Sequence, residues 1–150
     1  MNEIAALNRL VYDALTSDET LSALVTGAYL RRAPQGAAYP YALFTPQSAV
    51  DINTVSASRA LTNLVYNVQV VGVNETSADS DAFEAAAARL DAVLTGAEGV
   101  VEADEALGRP AISVSGLHRE SSFQYDEPSS QGAPVEHCGG LYRAFVQIAA

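Results

Sequence analysis

Ile4, Leu7, Val11 and Leu15 recur at spacings of three and four, the stripe of a helix with one buried face. Leu10 and Ala14 widen that stripe. Thr16 followed by Glu19 matches a capping box, so a second short helix is expected over residues 17–25, with Gly27 placed to end it. Strands are expected at 28–32 and 39–44, the latter reaching Gln47 if it passes Pro46. Residues 48–58 are small and polar with no sustained period, which reads as a loop or a mobile hairpin tip.

The clearest strand is 61–73. Leu64, Tyr66, Val68 and Val70 fall on one face, and Asn63, Asn67 and Gln69 on the other. Thirteen residues at strand rise reach roughly 43 Å, longer than a small core needs, so part of this strand and its partner before residue 48 is expected to project as a hairpin. A polar turn at 74–80 leads into a helix over 78–94, with Phe83, Ala86, Ala87, Leu90, Val93 and Leu94 on one side. Asp79, Asp81 and Glu84 in its first turns suit the helix dipole, and Gly96 or Gly99 ends it. Val100 and Val101 suit a brief edge strand. Residues 112–117 alternate as a strand that resumes through Phe123 and Tyr125. Residues 126–140 hold two prolines and three glycines and read as an exposed connection, after which a last strand covers 141–148. The order α-α-β-β-β-α-β-β predicts an α+β fold: an antiparallel sheet of four to five strands with helices packed on one face.

The stretch from Tyr29 to Phe44, YLRRAPQGAAYPYALF, organises these elements. Pro34 fixes its own φ and lacks an N–H, and Gly36 can take a positive φ, so the centre is a loop between two strands. Pro40 stands at the start of the second run, where no ladder bond is yet required. Leu21, Leu24, Val25 and Gly27, then Ala33 to Gly36, then Tyr39-Pro40-Tyr41 form a series of helix end, strand, "APQG" and aromatic–proline pair. The chain resembles, in this series, the tail terminators or tail-to-head joining proteins of long-tailed bacteriophages. The resemblance is strongest over residues 1–45 and weak after residue 100, and its motifs are those of a fold rather than of a chemistry.

Composition changes this picture little and charge somewhat more. At 150 residues, 49% apolar and 17% charged, one globular domain over 1–150 is expected, with no linker and no internal repeat. No apolar run approaches 18 residues, and the first residues lack a basic segment followed by an apolar one, so neither a membrane span nor a secretory signal is expected. A single cysteine, Cys138, excludes an internal disulfide framework. Eight arginines and no lysines face eighteen acids, a formal net charge of −10. Such a chain does not wrap nucleic acid by counterion release, which needs clustered basic residues. Its acidity has two readings: a passage that repels DNA phosphates, or solubility alone.

Candidate chemistry is sparse. Glu136-His137-Cys138 puts a thiol beside an imidazole, the pairing of an activated nucleophile. Neighbours in a strand point to opposite faces, however, and no orienting third group or oxyanion element accompanies them. Two histidines and one cysteine do not match zinc spacing, and Asp79 to Glu84 lacks the glycine and full ligand series of a calcium loop. No phosphate-cradling glycine loop occurs. No enzyme activity, cofactor or metal is therefore expected. Candidate contact residues are Arg31 and Arg32, which either meet a partner's carboxylates or simply flank the sheet, and Tyr39 and Tyr41, which either anchor an interface or pack in the core. Two long loops, 48–58 and 126–139, add Asp51, Asn53, Arg59, Asp126, Glu127 and Glu136.

The resemblance implies a structural virion protein, assembled in the host cytoplasm and placed at the head-proximal end of the tail. Its relatives form a ring, usually hexameric, that stops tube polymerisation and joins the tube to the head connector, leaving a lumen for the genome. The implied partners are copies of the same chain, the tail tube protein and the connector or stopper protein, with DNA passing unbound and no membrane involved. Two alternatives remain: a head-completion or connector protein of the same virion, expected to be mostly helical, and a small ligand-binding α+β domain with a closed apolar pocket.

Overall fold

The computed structural model describes residues 2–56, 60–129 and 132–148. The chain opens with helix α1 (Asn2–Ser17) and short helix α2 (Glu19–Leu24). Thr16 belongs to α1, its hydroxyl donating back to the Tyr12 carbonyl, and Asp18 caps α2 by accepting from the Leu21 N–H at 2.7 Å. The expected capping box at Thr16 is thus replaced by an aspartate two residues on. This spares Asp18 for a second task, because Arg89 reaches the same carboxylate from another helix.

Strand β1 (Ala28–Leu30) lies parallel to β2 (Tyr41–Ile52), and the intervening segment returns the chain to the same end of the sheet. Gly36 turns that return with φ 80°, and the Tyr39–Pro40 bond is cis. β2 then pairs antiparallel with β3 (Leu61–Val73), Tyr41 opposite Val71 and Ile52 opposite Leu61, with a register shift between Pro46 and Ser48. Residues 48–52 are therefore strand rather than loop. Their small polar composition hid this, since a strand exposed on both faces needs no apolar alternation. The paired strands do not project as expected, because β3 lies between β2 and β7 from Thr62 onwards; what extends past the sheet is the connection after Ile52, and the pairing of β2 runs five residues beyond Gln47.

Helix α3 (Ser77–Leu94) starts from a full capping box between Thr76 and Asp79. The chain continues through β4 (Gly99–Val101), a single 3-10 turn at Glu105–Leu107, β5 (Ile112–Val114), β6 (His118–Glu127) and β7 (Val135–Ile148). β7 is the spine of the sheet. It pairs with β3 along one edge, and along the other with β5 at Val146–Ile148 and β6 at Val135–Arg143. The sheet has seven strands in the order β1-β2-β3-β7-β5-β4, with β6 beside β7.

The expected four to five antiparallel strands are corrected on three points. There are seven strands, one pair is parallel, and the connection read at 126–140 shrinks because Asp126, Glu127 and residues 135–140 are strand. Gly139 and Gly140 misled that reading. They stand where strands crowd β7 from both sides: a Cβ on Gly139 would lie 2.2 Å from the Val68 carbonyl oxygen, and one on Gly140 2.5 Å from that of Ser121.

The core lies between one sheet face and the helices. Leu64, Tyr66, Val68 and Val70 of β3 are fully buried, beside Leu7, Val11 and Leu15 of α1 and Phe83, Ala86, Leu90 and Leu94 of α3. The Val, Leu and Phe side chains among them each contribute about 1.5–3 kcal/mol by leaving water. Among the described residues no helix is long and apolar enough to cross a membrane.

Candidate interaction surface

Among the described residues, the other face of the sheet carries no helix. Strand alternation turns Gln69 and Val71 of β3 and His137 of β7 towards it, and all three are nonetheless buried. His137 Nδ1 lies 2.9 Å from Gln69 Oε1, and its Nε2 lies 3.1 Å from Glu127 Oε2 on β6. The imidazole also stacks on Tyr125, centroids 4.5 Å apart and planes 7° apart. One side chain thus ties β3, β7 and β6 together. Sequence reading missed this group, although Phe123 and Tyr125, two aromatics two residues apart, were a signal that β6 shows one face to something apolar.

A second aromatic group sits at the same end. Tyr41 packs edge-on against Tyr29 at 5.6 Å and stacks with Tyr39 at 5.4 Å. Burial, then the proximity of Tyr39, Glu127 and Tyr29, pushes the Tyr41 phenol up. Tyr41 is half-buried and Tyr39 is exposed.

The remaining candidates divide clearly. Arg31 and Arg32 are exposed where β1 ends, and Arg31 has φ 66°, an uncommon left-handed conformation for a non-glycine residue. Its N–H donates to the Phe44 carbonyl at 2.8 Å, the last bond β1 makes before leaving β2. Asp51 accepts from Thr62 within the hairpin, and Asn53 is exposed near its tip. Arg59 lies outside the described residues. Val50, Ile52 and Val55 are exposed along the same hairpin. Asp126 and Glu127 are exposed on β6, whereas Glu136 is half-buried on β7 and accepts from Asn74.

His137 and Cys138 point to opposite faces, as strand geometry requires. Burial, with Glu84 and Glu136 nearby, pushes the Cys138 thiol up, away from thiolate character. The pair does not form a nucleophile and base.

Comparison with known proteins settles the family. The model of the family described as "Tail completion protein gp17" matches residues 9–150. The chain belongs to that family. It is a structural protein of the virion tail. No curated protein matches it. Among solved structures, a chain of the "virion of native gene transfer agent (GTA) particle" is 21% identical, with a TM-score of 0.66 and 97% of each chain covered. A second solved structure is 16% identical with a TM-score of 0.54, covering 97% of this chain and 94% of its own. At these identities the structures speak for the fold of the tail-completion chain, and the family match for its role.

Proposed function

We propose that this tail-completion protein closes into a ring at the head-proximal end of the tail tube, stops tube growth there and joins the tube to the head connector. The observation that carries the reading is the family match across nearly the whole chain. A ring acts by geometry: a closed set of like contacts leaves one rim shaped for the tube and another for the connector. The hairpin near residues 45–60, whose Val55 is fully exposed, and the loop side near residues 126–139 are the surfaces that fit subunit or tube contacts. The net charge of −10 per copy, repeated around a lumen, repels phosphate and suits passage of DNA without binding.

Two observations favour this over the alternatives. The sheet-rich fold differs from the mostly helical connector expected otherwise. The roomier recess beside Tyr39, Val73, Glu75, Asp79 and Val135, about 410 Å³, is open to solvent and partly polar, unlike the closed apolar pocket expected of a ligand-binding domain. The test is tube length. Adding the purified protein to polymerising tail tube protein should halt growth and leave short tubes capped at one end in electron micrographs. Tubes of unchanged length with bare ends would overturn the reading.

A further inference from the structure

The sheet ends in two long open edges. β1 covers β2 only as far as Phe44, because the left-handed turn at Arg31 takes the chain away, so β2 from Thr45 to Ile52 has no neighbour on its outer side among the described residues. At the other margin β6 pairs, among the described residues, with β7 alone, and nine of its ten residues are exposed, all but Phe123. Between its bulge at Arg119/Ser121 and Asp126, the stretch Ser121–Tyr125 carries no proline, charge or bulge, the devices by which natural edge strands discourage further pairing.

We infer that successive copies of the chain join edge to edge, β6 of one copy adding antiparallel to the open stretch of β2 of the next, with Tyr125 opposite Val50 and Phe123 opposite Ile52. The inference rests on the ring reading and names the contact that builds it.

Direction comes first. β2 runs against β3, β3 against β7 and β7 against β6, so β2 and β6 of one chain run oppositely. A second sheet set beside the first with the same face up therefore meets it antiparallel. The contact is head-to-tail, the kind that closes into rings.

The side chains agree with that direction. Val50 pairs with Asn63 and Ile52 with Leu61, while Phe123 pairs with Gly139 and Tyr125 with His137, so all four lie on the helix-free face. Joined as stated, Val50 and Ile52, both exposed in one copy, gain an aromatic row as cross-strand neighbours. The same register sets Asp126 opposite Ala49 and Glu127 opposite Ser48, three to five residues along β2 from Phe44 and Thr45, where Arg31 and Arg32 depart with side chains long enough to reach towards them. Neither arginine meets a carboxylate among the described residues. The open part of β2 lies beside Leu61–Asn67, whereas β6 lies level with Val65–Val73 of β3. Each added copy is thus staggered along the strands, the condition under which a sheet with tilted strands closes on itself.

The test is cross-linking in a Cys138→Ser background, using Val50→Cys with Tyr125→Cys. A second pair, Ile52→Cys with Phe123→Cys, covers the loss of the Tyr125–His137 stack. Within one chain β3 and β7 separate the two sites by three strand spacings, about 14 Å, beyond disulfide reach. Oxidation, alone and on polymerised tube, should give a ladder of linked species ending at the ring number. Ring-sized particles without a ladder from either pair would overturn the edge contact and leave the ring reading standing. Absence of ring-sized particles in both settings would overturn both. A ladder that stops at two, formed by Tyr125→Cys alone, would show a symmetric β6–β6 contact instead. Arg31→Glu with Arg32→Glu should raise the assembly concentration at least tenfold, and adding Asp126→Arg with Glu127→Arg should restore it. Additive loss would contradict the register.

Discussion

Tyr66 and Tyr142 face each other across β3 and β7, and each fastens a different helix to the sheet. The Tyr66 hydroxyl donates to Asn8 Oδ1 at 2.6 Å and contacts the Ile4 carbonyl at 3.1 Å, both on α1. The Tyr142 hydroxyl donates to Asp91 Oδ1 on α3 at 2.7 Å, and Arg119 pairs with the same carboxylate at 2.9 Å. Burial is the leading cause that pushes both phenols far above the usual tyrosine range, so both remain donors. Tyr66→Phe and Tyr142→Phe should each cost about 1 kcal/mol in urea denaturation, the worth of a hydrogen bond whose ring packing is kept. The double variant should be additive within about 0.5 kcal/mol, because the rings stay packed and the two hydroxyls share no partner.

Gly139 tests the crowding around β7. Gly139→Ala drives a methyl into the Val68 carbonyl and the Gln69 backbone and should cost about 1–3 kcal/mol. Gly99→Ala, whose Cβ would meet only Leu10 Cδ1 at 3.4 Å, should change the unfolding midpoint far less.

Acid should loosen the α2–α3 contact. Arg89, then the Leu21 N–H, holds the Asp18 carboxyl down at about 2, below its ordinary 3.8. A depressed native pKa gives stability that is present above the unfolded value and lost as pH falls through the native one. The protein should therefore lose stability between about pH 4 and pH 2, and Asp18→Asn should lose less over that window. Thermal unfolding at a series of pH values measures the difference.

The hairpin separates fold from function. Val55 is fully exposed, so Val55→Asp should leave stability within about 0.5 kcal/mol. If this tip contacts tube or subunit, the same variant should complete tails poorly, as scored by infectious particles per tail in micrographs.

Much of this architecture was legible in the sequence wherever burial is one-sided. The stripe from Ile4 to Leu15 and the alternation of 61–73 each report a single buried face, and both elements are present where expected. What was hidden lies where backbone pairing, not side-chain burial, defines the strand. Ser48 to Ile52 are held by hydrogen bonds to β3 with both faces wet, so no alternation marks them. Gly139 and Gly140 look like a turn, yet their missing side chains are what lets β3 and β6 approach β7. The His137–Tyr125–Gln69 group joins three strands distant in sequence, and such a meeting follows only from register. The contact residues divided in the same way: Tyr39 and the two arginines are exposed, Tyr41 and Glu136 are engaged within the chain, and Tyr125 was overlooked.

The central claim is closure into a ring, and the most direct measurement is the mass of the purified protein by light scattering, alone and with the ends of polymerised tail tube. The account predicts a discrete ring-sized particle, either free or formed only with tube present. A stable monomer of 15.7 kDa that ignores the tube would contradict it.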